Sequence, residues 1–214
     1  MFTNNPTDSS KNQKTVSQQG DPYASFSSGT YIAGTGALYL DSASYLILPD
    51  HDEYDFGSDD FTIEFYVNFT TSTKTQWIFS FDGESGSNDW RLGINAGGYL
   101  TFNQVGNGIV SGSSIDFNGS NMDMADGEWH KVSLCRKATS GSLCSMTCHV
   151  STKISGGGTN QNSQTITSIN LVGFNNITTQ KYIGYNPTYN NTATSQPFVG
   201  YLDEIRFTNG QARY

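Results

Sequence analysis

The chain has 214 residues, long enough to bury a core without disulfides or metals, and only 14% of them are charged. A net charge of -8 and a pI near 4.6 argue against a nucleic-acid partner, because phosphate binding needs clustered Lys and Arg. No apolar run reaches the roughly 18 residues of a membrane helix, and the polar stretch after Met1 lacks the basic and apolar parts of a secretory signal. Gly is abundant at 23 residues, and Ser, Thr and Asn fill the connections, which indicates many short strands joined by turns.

Residues 1–30 are polar and turn-rich, with Thr15, Val16 and Ser17 the best strand candidate. Residues 36–48 (GALYLDSASYLIL) read as two short strands around a turn at 41–44, and 49–57 (PDHDEYDFG) as an acidic loop. In 59–69 (DDFTIEFYVNF), Phe61, Ile63, Phe65, Val67 and Phe69 occupy every second position. An extended strand sends alternate side chains to opposite faces, so this segment is a core strand. Residues 77–81 alternate again and stop at Asp82-Gly83, a turn signal; 90–94 and 98–102 form the next pair. A weak strand near 115–117 lies in a stretch rich in Gly, Ser and Asn.

The turn Asp126-Gly127-Glu128 launches 129–136 (WHKVSLCR), and 143–152 returns beside it. Residues 153–164 read as a polar, glycine-rich loop, strands resume at 165–169 and 181–183, and 185–196 is a loop of Asn, Thr and Tyr before a last strand at 198–207. No stretch of ten residues has helical periodicity. About twelve short strands in one domain, 1–214, predict an all-β fold, a two-sheet antiparallel β-sandwich. Three cysteines exclude a fully paired set within the chain. With 138–141 as a four-residue hairpin loop, Cys135 faces Cys144 within disulfide reach, and Cys148 stays free; the alternative is three small side chains in a sheet.

The ordered set DFTIEFYV, WIFSF, DGEWHKVSL and FVGYLDEIRFTNG resembles the concanavalin A-like lectin/glucanase superfamily, and more narrowly its laminin G-like jelly-roll domains. The closing QARY is similar to copies in bacteriophage virion proteins, and TDSSKN at 7–12 resembles the start of such domains, with Lys11 where Gly is usual. The resemblance covers nearly the whole chain. It implies a concanavalin A-like jelly roll on a virion surface or otherwise extracellular, as capsid decoration or a tail or fibre component. Its expected partners are other virion proteins, copies of itself or cell-surface glycans. Members of that family usually have an apolar strand before TDSS; for this chain the resemblance implies either that the strand is dispensable or that another chain fills the edge by strand addition.

Hydrolysis needs paired carboxylates at alternate positions of one strand, and neither Asp59-Asp60…Glu64 nor Asp203-Glu204 supplies them, so a non-enzymatic protein is expected. The resemblance points to Asp8, Asn12 and Asp203 as ligands of a structural Ca2+ that clips the N-terminal turn to the closing strand. The alternative is that Asp8 caps its own turn. Loop aromatics with amides suit sugar stacking, and Tyr185, Asn186, Tyr189, Asn190 and Asn191 in YNPTYNN are the candidate binding residues, for glycan or for protein. Trp77, Trp90 and Trp129 sit in strand-like contexts and are expected in the core, and His130 is expected to be structural.

Overall fold

The computed structural model describes residues 8–25, 31–33, 36–70, 73–81, 89–105, 114–141, 143–153, 159–170, 180–187 and 195–214. Its strands in chain order are β1 (Ser17–Gln19), β2 (Tyr23–Ser25), β3 (Ala37–Leu40), β4 (Tyr45–Leu48), β5 (Phe61–Asn68), β6 (Thr75–Phe81), β7 (Asp89–Ile94) and β8 (Leu100–Val105). They continue as β9 (Ser114–Phe117), β10 (His130–Ser140), β11 (Leu143–Lys153), β12 (Thr159–Asn170), β13 (Lys181–Ile183), β14 (Ser195–Pro197) and β15 (Gly200–Asn209). An eight-stranded sheet runs β1-β4-β13-β6-β7-β8-β9 with β14 joined parallel to β6, and a seven-stranded sheet runs β12-β11-β10-β5-β15-β3-β2. All other pairings are antiparallel, so the expected two-sheet sandwich is what forms.

The alternating segment is β5, the middle strand of the seven-stranded sheet. Phe61, Ile63, Phe65, Val67 and the following Phe69 are all at most 2% exposed. Burying each such side chain contributes about 1.5–3 kcal/mol. Opposite them lie Phe79, Phe81, Trp90, Leu92 and Phe102 of the other sheet; Phe65 meets Phe79 edge-on at 5.2 Å, and Phe81 stacks on Trp90 at 4.1 Å. The outer face of β5 is covered as well. The tail at 211–214 crosses it: Thr62 Oγ1 donates to the Gln211 carbonyl, Arg213 N–H donates to Thr62 Oγ1, and the Tyr214 hydroxyl donates to Glu64. Period-two alternation therefore locates the strand, while the tail accounts for burial of Thr62 and Glu64 on its polar side.

Three local expectations change. The β10–β11 hairpin closes with Ser140 opposite Leu143, and its pairing is displaced by three residues from the register that a loop at 138–141 gives. Cys135 consequently faces Thr147 and Cys144 faces Ala138; all three cysteines are free and buried. The stretch read as a loop up to 164 is instead part of β12, which pairs with β11 from Thr159 onward. Its Asn, Gln, Ser and Thr residues carry no apolar alternation because the strand lies at the sheet edge, where little burial is demanded. Finally, the strand near the N-terminus is Ser17–Gln19 rather than 15–17.

β15 contains a bulge between Asp203 and Arg206, with Glu204 at φ +48°. Leu202 enters the core opposite Val67, so Asp203, opposite Tyr66, faces the outer side, where it is buried against the Ile32 and Ala33 amides, while Glu204 is exposed.

Candidate functional site

Among the described residues, a half-buried aromatic cluster lies on the outer face of the eight-stranded sheet. Leu46 and Leu48 point into the core, so Tyr45 and Ile47 point outward from β4. Tyr182 of β13 pairs with Ile47 and with Ser80 of β6, which places it on the same face. The chain then turns at Gly184, whose φ is +87°. A Cβ there would stand 2.5 Å from Leu40 Cδ1, so only glycine fits both the dihedral and the space. Gly184 N–H donates to the Ile78 carbonyl, and Phe198 N–H donates to the Gly184 carbonyl, pinning both ends of the loop to the sheet.

This turn delivers Tyr185 onto Tyr45. The rings stack at 4.2 Å and 13°, with Tyr182 edge-on to Tyr45 at 6.0 Å and tilted against Tyr185 at 5.7 Å. Burial, then the neighbouring Tyr185 phenol, raises the Tyr45 pKa above its usual value. Three adjoining phenols on a solvent-facing sheet make an apolar surface with hydroxyls at its margin, the chemistry that stacks against a sugar ring. Tyr182 O–H reaches Gln180 Oε1 at 3.4 Å, an amide at the rim.

Asn186 does not join this surface. It is 1% exposed, and its amide donates to Ser80 Oγ at 3.1 Å, so it anchors the loop instead of facing solvent. Tyr189, Asn190 and Asn191 lie outside the described residues. Tyr45 and Tyr182, which the loop composition did not suggest, are brought to Tyr185 by the β4–β13 register. Alternation in YLIL was the sequence signal for Tyr45 facing outward.

Further along the same face, Ser80, Arg91, Asn103 and Ser114 follow Tyr182 strand by strand. Trp77 lies there too, opposite Gly93, with the Arg91 guanidinium 5.9 Å from its ring. A side chain on Gly93 would collide with Trp77 and with the Gln76 carbonyl. Trp90 is in the core cluster as expected, whereas Trp77 and Trp129 are buried outside it. His130 is buried, with Nε2 2.9 Å from Asp126 and Nδ1 2.8 Å from Thr152 Oγ1, which fits a structural role.

The residues considered for calcium are placed in two separate settings. Asp8 accepts from Ser10 N–H, Ser10 Oγ–H and Lys14 N–H, closing its own turn. Asn12 donates to Glu53, and Lys14 pairs with Glu53 while lying 5.2 Å over the Tyr54 ring. The N-terminal turn is thus clipped to the short helix Asp52–Tyr54 of the acidic loop. Burial, then Asp8 and Glu53, push the Tyr54 phenol up to about 12. Asp50 of that loop pairs with the buried Lys181. Asp203 accepts from Ile32 and Ala33 N–H at 2.8 and 3.1 Å. Among the described residues, no three His, Cys, Asp or Glu side chains converge in a metal-binding group.

An antiparallel sandwich with an aromatic patch on one face defines a lectin-like class of domain. The family profile for the concanavalin A-like lectin/glucanases superfamily matches residues 40–212, and the chain belongs to that superfamily. No curated protein matches the sequence. Among solved structures, it is similar to the binding domain of botulinum neurotoxin serotype C1, at 18% identity and TM-score 0.62, over 96% of this chain and 46% of that one. It is similar also to the binding domain of Paraclostridial Mosquitocidal Protein 1, at 14% identity and TM-score 0.61, over 100% of this chain and 48% of that one. A third is the binding domain of botulinum neurotoxin DC in complex with SialylT, at 16% identity and TM-score 0.59, over 96% and 45%. The chain spans under half the length of these structures, and the likeness is one of fold.

Proposed function

We propose that this chain is a non-enzymatic adhesion domain that binds carbohydrate through the Tyr45–Tyr182–Tyr185 platform. The observation that carries this reading is the Tyr45–Tyr185 stack, built by the Gly184 turn onto an outward sheet face. The similar structures support the class of ligand, since one is a neurotoxin binding domain in complex with SialylT and in another, cell entry of botulinum neurotoxin type C depends on interaction with two ganglioside molecules. Placement on a bacteriophage particle, in a capsid or tail, is a second reading supported by the resemblance of the QARY tail to virion proteins.

The test is a glycan array probed with purified protein, with calcium and with chelator, alongside Tyr185→Ala and Tyr182→Ala. Binding to a defined glycan that each substitution weakens at least about tenfold, or about 1.4 kcal/mol, supports the platform. Loss in chelator would assign an ion to the site. A blank array, or binding indifferent to both tyrosines, overturns the proposal.

A further inference from the structure

The two sheets end in edge strands of very unequal length. β1, β2 and β14 have three residues each and β9 has four, whereas β12 has twelve. Shortness is one way proteins blunt a sheet edge; charge, proline and bulges are the others. β12 (TNQNSQTITSIN) contains no charged residue and no proline. Its one register shift lies towards the C-terminal end, where Ile169 and Ile166 oppose Cys144 and Met146 and Ser168 has φ +58°. From Thr159 to Ile166 the pairing with β11 is regular, which leaves eight residues presenting an unblunted edge with no further strand beside it among the described residues.

Charge distribution indicates what meets this edge. All 19 acidic residues fall within 1–128 or at Asp203 and Glu204, so the whole span 129–202 has none. A copy approaching elsewhere meets the acidity of a chain carrying -8, but a copy approaching through β12 meets hydroxyls and amides. Length selects the partner strand as well. The other described edges are too short to match β12, and an antiparallel copy of β12 matches it residue for residue.

We infer that β12 is the seam of a two-fold dimer, in which antiparallel β12 strands join two seven-stranded sheets edge to edge. The contact is isologous, so it closes at two copies and does not propagate. Gln161, Ser163 and Thr165 are exposed on the outer face; with the axis at Ser163, Gln161 of one copy sits across from Thr165 of the other. The β12 edge is the one beside residues 119–121, where Gln164 accepts from Gly119 N–H and Asn162 donates to the Asn121 carbonyl. The tyrosine cluster lies towards the opposite edge, on β4 and β13. The dimer thus leaves both clusters uncovered, and two linked sites raise avidity for a clustered ligand. An edge contact this narrow falls towards the low end of specific interfaces, about 1,200 Å² or less, and dissociates on dilution.

Sedimentation velocity of the full chain, from about 1 μM to a few hundred μM, tests the seam against the interface scale above. A monomer–dimer equilibrium is expected in the upper part of the range. The triple substitution Gln161→Lys, Ser163→Lys and Thr165→Lys sets like charges across the seam, as does the matching set to Glu; each is expected to weaken self-association at least about tenfold with unchanged circular dichroism. Mixing the two sets restores a one-to-one dimer, which a general loss of stability does not do. Should a triple variant misfold, the pair Ser163→Lys and Ser163→Glu asks the same question at the axis. A wild-type chain that is monomeric throughout, or variants that remain dimeric alone, overturns the proposal. The glycan result does not enter either outcome.

Discussion

Substituting Gly184 by alanine separates the two costs that this turn imposes. The backbone at φ +87° is one an L-residue occupies at about 1–2 kcal/mol. The added methyl also lands 2.5 Å from Leu40 Cδ1. Leu40 is 0% exposed within the core cluster, so it moves away only by displacing packed neighbours, at about 1–3 kcal/mol. The sum is about 2–5 kcal/mol, and at about 2–4 °C per kcal/mol for a chain of this size it lowers the melting temperature visibly. Gly210→Ala is the matched control: its φ is +76°, but nothing lies within 4 Å of the new methyl. Urea unfolding of both variants should place Gly184→Ala about 1–3 kcal/mol below Gly210→Ala, the difference being the Leu40 clash. Near-ultraviolet circular dichroism should change only for Gly184→Ala, because Tyr185 loses its stack on Tyr45. Equal unfolding midpoints for the two variants would refute this account of the turn.

Asp203→Ala removes an acceptor shared by the Ile32, Ala33 and Glu204 amides; at about 1.5–3 kcal/mol for a hydrogen bond to a charged group, a loss of about 3 kcal/mol or more is expected. Hydrogen exchange at Ile32 and Ala33 should accelerate, and unchanged exchange there would show that the carboxylate does not hold that segment. Asp8 is half-buried, which alone raises its pKa, but the Ser10 and Lys14 hydrogen bonds outweigh this and hold it below the ordinary 3.8. Its unfolded form then binds protons more readily, so its contribution is present above that value and disappears as pH falls through the lower folded one. Asp8→Asn should therefore show a shallower loss of urea midpoint below pH 3.8 than the parent, and parallel curves would remove Asp8 from the explanation. The three cysteines are buried, and burial, then Cys135, pushes the Cys148 thiol well up. A thiol reagent should label none in native protein and three after denaturation; rapid native labelling would contradict the packing of β10 against β11.

Alternation in 59–69 by itself determined the central strand, since five apolar residues at period two can be buried together only on one face of an extended chain. The order of the alternating segments and the low charge likewise determined the two-sheet architecture and its polar, turn-rich surface. The sequence placed Tyr185 in a binding loop, yet composition could not distinguish it from Asn186, because both are polar-capable loop residues. Only the fold separates them: the β13–β6 register carries Asn186 onto buried Ser80, while Gly184 turns Tyr185 over Tyr45. Of the two readings of the cysteines, three small side chains in a sheet is the one that forms, because a register displaced by three residues sets Cys135 against Thr147 rather than Cys144. Residues 159–164 of β12 read as a loop because a polar edge strand buries too little to imprint periodicity, and its partner, β11, supplies the order. Local pattern reports which face a residue prefers; which residues share that face across strands is decided by register, and register is set by contacts far apart in the chain.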